Sequence, residues 1–227
     1  MKNLIVFDLD GPILEGSRRH YICYSQILEE FGLKPLPFNA YWKAKRDRLD
    51  QREILNQSGA YNVYDTFSHL WLERIESPGM LNFDRPQPGV HEILNACNRA
   101  MIRNILVTDR QDYQALVSQL NKLELQEFFE DIIMASFDED KKDKASVFNS
   151  KFQEQVPLVL AWIGDTEVDI IAARQLGITS IALTCGLRDR FVLESFQPDY
   201  IFNDLIEVFN KRPLSSLICD TITSGVS

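Results

Sequence analysis

The chain has 227 residues, 45% of them hydrophobic and 25% charged, enough for one ample core or two modest ones in a globular protein. Its 24 basic and 33 acidic residues leave a net charge of −9, which argues against a nucleic-acid or anionic-membrane partner. No apolar run is long enough to span a bilayer, and the N-terminus lacks the basic, apolar and cleavage segments of a signal peptide, so a cytoplasmic setting is expected.

In chain order, Leu4 to Phe7 is an unbroken apolar run, the pattern of a strand buried on both faces in a parallel sheet. Asp8 and Asp10 follow at a spacing of two, so near-extended backbone points both carboxylates the same way. Gly11 and Pro12 then turn the chain. Ligands of open α/β sheets bind at the carboxyl ends of strands, where this pair stands. Two unit charges about 4 Å apart interact by roughly 4 kcal/mol at an effective dielectric of about 20, so the pair needs a proton or a cation. An isolated Asp-x-Asp is more economically read as a turn cap beside a solvated carboxylate. Further carboxylates arriving at the same rim point instead to a hard divalent ion with several oxygen ligands.

Residues 13–85 hold no convincing strand and are too long for a plain loop. Tyr21, Tyr24, Leu28 and Phe31 recur at helical spacing before Gly32, and Pro35 and Pro37 interrupt. Residues 40–57 read as one charged helix carrying Trp42, Leu49, Ile54 and Leu55. Residues 63–76 read as another, with Phe67, Leu70, Trp71 and Ile75, broken by Ser77-Pro78-Gly79. The stretch is expected to be an inserted helical subdomain with its own aromatic core.

The sheet pattern returns after Pro86. An amphipathic helix over 89–100 precedes a strand over 104–107 that ends at Thr108-Asp109, and Asp112 caps a helix over 113–123. A strand over 132–135 ends at Ser136. The charged run 138–144 leads into a helix through Val147, Phe148 and Phe152. A strand over 158–163 ends at Gly164-Asp165, followed by a helix over 167–176, a strand over 180–183 and a short strand over 200–202. Strands alternating with helices imply an α/β fold with a right-handed, doubly wound parallel sheet. Residues 213–227 form a polar tail. Cys23, Cys97, Cys185 and Cys219 form no Cys-x-x-Cys and are expected to be unpaired in a reducing compartment. His20, His69 and His91 show no metal-ligand spacing and are given no role.

The strand ends share one chemistry: Asp8 and Asp10 after the first, Thr108 at the second, Asp165 at the fourth, and Asp169 one helical turn further on. On one rim these carboxylates repel by several kcal/mol unless neutralised. A bound Mg²⁺ removes most of that cost and creates an electrophilic centre for a phosphoryl group.

The order Asp-x-Asp-Gly, Thr after a strand, Lys at a helix start, and Gly-Asp-x-x-x-Asp resembles the haloacid dehalogenase-like hydrolase superfamily. The run Gly164 to Gly177 is its most specific part. The resemblance covers about Lys2 to Lys211 and implies a core of residues 1–12 and 86–212 with a helical cap, 13–85, in the position used by phosphoglycolate phosphatase and phosphoglucomutase relatives. It implies Asp8 as nucleophile forming an aspartyl-phosphate and Asp10 as general acid and then base. Thr108 and a lysine would hold the phosphoryl oxygens. Mg²⁺ would be ligated by Asp8, Asp165 and the Asp10 backbone carbonyl, with Asp169 ligating or orienting it. Lys144 matches the form in which lysine opens the helix, and Lys142 is the other candidate. Asp109 and Arg110 are further candidates for substrate contact, although Arg18, Arg19 and Arg110 are each expected to be exposed and solvated. Pro12 stands where the family usually has Thr or Val, and Asp109 where a small or amide residue is usual.

The expected activity is Mg²⁺-dependent hydrolysis of a small phosphorylated metabolite by a monomer or homodimer. A phosphomutase using the same phospho-aspartate and a non-catalytic binding protein are the alternatives. A dehalogenase is disfavoured because Asp10 is present. A nucleotide-binding dehydrogenase is excluded because the first strand is followed by Asp-Leu-Asp-Gly-Pro, not a glycine fingerprint.

Overall fold

The computed structural model describes residues 2–135 and 143–211. The first apolar run forms β1 (Leu4–Phe7). The chain continues through β2 (Leu14–Glu15) and five helices, α1 (Ser17–Glu30), α2 (Phe38–Arg46), α3 (Gln51–Gln57), α4 (Tyr64–Arg74) and α5 (Pro78–Leu81), to β3 (Arg85–Pro86). Next come α6 (Val90–Arg99), β4 (Arg103–Thr108), α7 (Tyr113–Lys122), β5 (Asp131–Met134) and α8 (Lys144–Phe152). The remainder is β6 (Val159–Gly164), α9 (Glu167–Leu176), β7 (Ser180–Leu183), α10 (Arg190–Ser195), β8 (Tyr200–Phe202) and α11 (Leu205–Asn210).

Six strands form a parallel sheet in the order β5-β4-β1-β6-β7-β8. Ile5 and Phe7 join the core beneath α6, α7 and α11, while Leu4 and Val6 join the core beneath α8 and α9. That period-two division explains why β1 is apolar at every position. From β1 the chain winds outward through β4 and β5, then resumes on the other side with β6. The reversal leaves a crevice at the carboxyl ends of β4, β1 and β6, the usual ligand position in such sheets.

The helices α1 to α5 pack around a separate hydrophobic cluster. Cys23, Tyr24, Ile27 and Leu28 give α1 an apolar stripe, and Tyr24 stacks on Tyr41 with ring centroids 4.3 Å apart. Strands β2 and β3 pair antiparallel, Leu14 with Pro86 and Glu15 with Arg85, and tie together the two connections between this subdomain and the sheet.

Three expectations are corrected. The insertion contains a strand, β2, too short to show any alternation. Residues 40–57 form two helices, because Arg48 takes a left-handed conformation at φ 67° and Asp50 restarts the helix with a capping box to Glu53. Helices α10 and α11, unexpected from the pattern, are short and each capped by an aspartate, Asp189 and Asp204. Ser136, Lys142 and the tail 213–227 lie outside the described residues. Among the described residues, no helix is long and apolar enough to cross a membrane.

Candidate active site

Asp8 leaves β1 with its backbone N–H donating to the Ile163 carbonyl at 2.9 Å, so the strand pairing carries on to the acidic residue itself. The turn after it is tight: Gly11 N–H donates to Leu14 O, while Ile13 and Leu14 both donate to Leu9 O. Pro12, which lacks an N–H, sits where its neighbours' amides are already used inside the turn. Thr108 closes β4 and is buried, with its Oγ1 accepting from Arg110 N–H at 3.3 Å. Lys144 opens α8 after the Asp143 cap, and its Nζ lies 2.9 Å from Asp8, 2.9 Å from Asp169 and 3.4 Å from Asp109. Asp169 also accepts from Trp162 Nε1 at 3.4 Å, Thr166 N–H at 3.3 Å and Thr166 Oγ1 at 2.8 Å, so all of its acceptor capacity is engaged.

One buried ammonium thus stands among four carboxylates, Asp8, Asp109, Asp165 and Asp169. Burial pushes the Asp8 pKa well above the usual carboxylate range; Lys144 opposes this and the neighbouring carboxylates add to it. Burial pushes Asp165 up to about 8, helped by Asp169. For Lys144, burial works against the charge, but Asp169, Asp8 and Asp109 outweigh it and hold the pKa well above normal.

The donor set fits a hard divalent cation. Asp8, Asp165 and Asp169 each bring a carboxylate oxygen to within 4.8 Å of the others, and because Asp169 is already taken up by Lys144, Trp162 and Thr166, Asp8 and Asp165 are the two with oxygens to offer an ion. Asp165 Oδ2 accepts from Leu187 N–H at 2.5 Å, but Asp165 Oδ1 is buried with no partner. An orphaned anionic oxygen is costly unless a ligand takes it up. The backbone makes room for Asp165 from two sides: a Cβ on Gly186 would lie 2.0 Å from Asp165 Oδ2, and one on Gly11, at φ 107°, 2.2 Å from its Cγ.

The Asp10 carboxylate is not part of this group. Its Oδ1 accepts from Arg19 Nη2 at 2.6 Å and Arg110 Nη2 at 2.8 Å, and its Oδ2 from Arg110 Nε at 2.6 Å. Although burial opposes it, the guanidiniums of Arg110 and then Arg19 hold the Asp10 pKa far below normal. Both arginines also grip Asp84, Arg19 Nε at 2.8 Å and Arg110 Nη2 at 3.1 Å, and Gln119 Nε2 donates to Asp84 at 2.8 Å. Arg18 is exposed as expected, whereas Arg19 and Arg110 are buried, because each guanidinium finds two carboxylates. Arg110 is not among the residues lining the cleft.

The cleft over Asp8 has a volume of about 230 Å³. Asp8, Asp10, Thr108, Asp109 and Asp165 line its floor, and Glu15, His20 and Trp42 its roof. His20 lies between Trp42 and Trp71, with ring centroids 6.1 and 5.5 Å away. Its Nδ1 is buried without a partner, and burial pushes its pKa well down, so it is neutral. No metal-ligand spacing marks it in the sequence; its only signal is a place on the first turn of α1. The roof is fastened at its far edge. Arg46 donates to Gly186 O at 2.8 Å and Thr184 O at 3.0 Å, and Glu167 accepts from Arg48 at 2.9 Å and Arg188 at 2.8 Å.

The crevice of this doubly wound sheet gathers acidic groups around a buried lysine. The model of the haloacid dehalogenase-like hydrolases matches residues 5–183, and the chain belongs to that family. It is similar to the phosphoglycolate phosphatase of Agrobacterium fabrum, 27% identical over 213 residues that cover 88% of each chain. It is also similar to that of Neisseria meningitidis, 25% identical over 226 residues, 92% of this chain and 93% of the relative. Its fold matches a haloacid dehalogenase-like hydrolase from Streptococcus pneumoniae at a TM-score of 0.69 and 22% identity, covering 92% of this chain and 97% of the other. Within the family the chain is a phosphatase.

Proposed function

We propose that the protein is a cytoplasmic, Mg²⁺-dependent phosphatase that hydrolyses a small phosphorylated acid, with 2-phosphoglycolate the first candidate, through a phosphorylated Asp8. The observation that carries this reading is the meeting of Asp8, Lys144 and the unpartnered Asp165 oxygen at the mouth of three adjacent strands. The choice of substrate is supported by the likeness to two phosphoglycolate phosphatases, 27% and 25% identical over 88% and 92% of the chain. The free thiols of Cys23, Cys97 and Cys185 suit a reducing compartment.

Asp8 attacks phosphorus from the sheet side and the ester P–O bond breaks; Asp10, ionised while Arg19 and Arg110 grip it, takes up a proton from solvent when it leaves those ion pairs and delivers that proton to the departing alkoxide. Asp10 then takes a proton from the water that attacks the acyl phosphate, releasing phosphate and restoring Asp8. Thr108 Oγ1 and Lys144 Nζ bind the phosphoryl oxygens, and Lys144 offsets charge that builds there. Asp169 holds Lys144 through its 2.9 Å contact. Asp8 and Asp165 are the residues that would hold Mg²⁺, which supplies Lewis-acid stabilisation of the phosphoryl group. Residues 13–85 act as a cap over a core of 1–12 and 86–212, excluding water and bulky esters.

The test is phosphate release from 2-phosphoglycolate, a hexose phosphate and an aryl phosphate, with Mg²⁺ and with EDTA, by wild type and Asp8→Asn. Turnover of the first by wild type alone, abolished by EDTA, is expected. Activity surviving in Asp8→Asn contradicts the nucleophile, and isomer interconversion without phosphate release contradicts a phosphatase.

A further inference from the structure

Asp165 is aimed by one peptide group. Among the described residues, the only hydrogen bond to its carboxylate comes from Leu187 N–H to Oδ2, at 2.5 Å. The carbonyl of that same peptide unit, Gly186 O, accepts from Arg46 Nη1 at 2.8 Å, and Arg46 Nη2 donates to Thr184 O at 3.0 Å. A trans peptide is planar with its C=O and N–H pointing opposite ways, so an anchor on the carbonyl fixes where the N–H points. The unit needs such an anchor, because the glycine on its N-terminal side restrains the backbone least of all residues. No larger residue can stand there, since a Cβ on Gly186 would lie 2.0 Å from Asp165 Oδ2. Arg46 is in turn held by the segment it grips. It ends α2, where Lys45 O accepts from Arg188 Nη1 at 3.0 Å and Arg46 O from Asp189 N–H at 3.1 Å. Gly186 and Leu187 line the cleft, whereas Arg46 does not.

We propose that Arg46 is a positioning residue for the metal carboxylate: bonded to Gly186 O and Thr184 O, it fixes the Gly186–Leu187 peptide, holds Asp165 in its orientation and thereby sets the affinity for Mg²⁺. The inference rests on the metal-holding role proposed for Asp8 and Asp165. A guanidinium suits the task because its rigid fork spans two carbonyls at once, which an ammonium does not. Its charge also polarises the peptide and strengthens the N–H bond to Asp165 on the other side. A contact that only fastened the subdomain to the sheet could be any ion pair, such as that of Arg48 with Glu167 at 2.9 Å. Arg46 instead donates to the peptide whose N–H faces Asp165.

The role is read from metal binding without substrate. Mg²⁺ is titrated calorimetrically into wild type, Arg46→Met, Arg46→Lys, Arg48→Met and Asp165→Asn. Arg46→Met keeps the stem and loses both bonds, whereas Arg46→Lys can make one of them. Arg48→Met loosens the same edge of the subdomain without touching the Gly186–Leu187 peptide. Kd is taken from the titration midpoint, which an unfolded fraction scales in amplitude but does not shift. Groups that orient a metal ligand are worth about 10- to 100-fold in affinity, so Kd is expected to rise by about that factor in Arg46→Met. A smaller rise is expected in Arg46→Lys, and none in Arg48→Met. An unchanged Kd in both Arg46 variants overturns the inference, and so does an equal rise in Arg48→Met, which marks the contact as a fastening alone. Asp165→Asn binding Mg²⁺ as tightly as wild type overturns the metal site itself, and the inference with it.

Discussion

Replacing Asp165 by Asn removes a charge that the folded protein holds at a cost when no metal is bound. The side chain is fully buried, Oδ1 has no partner, and burial pushes its pKa from 3.8 up to about 8. A carboxyl whose folded pKa lies above its unfolded value contributes stability that is fully present below the unfolded value and lost as pH rises toward the folded one. At about 1.4 kcal/mol per unit, ionising Asp165 near pH 7.5 costs on the order of 5 kcal/mol. The Asn variant avoids that charge but leaves its own amide poorly partnered, returning about 1–3 kcal/mol. A net gain of about 2–4 kcal/mol raises Tm by roughly 4–16 °C in a chain of this size. The assay is thermal unfolding in EDTA and in Mg²⁺. In EDTA the variant should melt above wild type, and wild type should gain stability as pH is lowered from about 8 toward 5. In Mg²⁺ at about 100 times its Kd, wild type should gain about 3 kcal/mol and the variant almost nothing. A variant less stable than wild type in EDTA, or an equal response to Mg²⁺, refutes the reasoning.

Gly186→Ala places a methyl 2.0 Å from Asp165 Oδ2, so Asp165 must move; the Mg²⁺-dependent rise in Tm should shrink and kcat/KM fall. Lys144→Met removes the ammonium that contacts Asp8, Asp109 and Asp169, and kcat is expected to drop about 10²- to 10³-fold, measured as phosphate release under saturating Mg²⁺. Asp50→Ala deletes the capping box that restarts the chain after Arg48, and chemical denaturation should show a loss of about 1 kcal/mol. Its kcat on an aryl phosphate should stay within twofold of wild type, since the box lies outside the cleft lining.

The sheet and the crevice were legible because their signals are local. A fully apolar β1, Gly164 at the end of β6 and the Asp112 cap can each be read within a few residues, and the structure has them where the pattern put them. The burial of Arg19 and Arg110 was not legible. Arg19 looks like its exposed neighbour Arg18, and what draws it inward is Asp84, 65 positions along the chain. Only the folded topology brings β3, β4 and α1 to Asp10. The break at Arg48 had a readable sign, since Asp50 and Glu53 form a capping box, but the periodicity of residues 40–57 masked it. The pairing of β2 with β3 rests on two residues each, below the length at which a strand leaves a pattern.

The central claim is that the Asp8 side chain carries the phosphoryl group between the two halves of the reaction. Rapid acid quenching during turnover of 2-phosphoglycolate, followed by borohydride reduction and peptide mass spectrometry, reads this directly. A reduced, formerly phosphorylated carboxyl at Asp8, absent from Asp8→Asn, is the predicted result. Phosphate released at an undiminished rate with Asp8 unlabelled, or the label on another residue, contradicts the account.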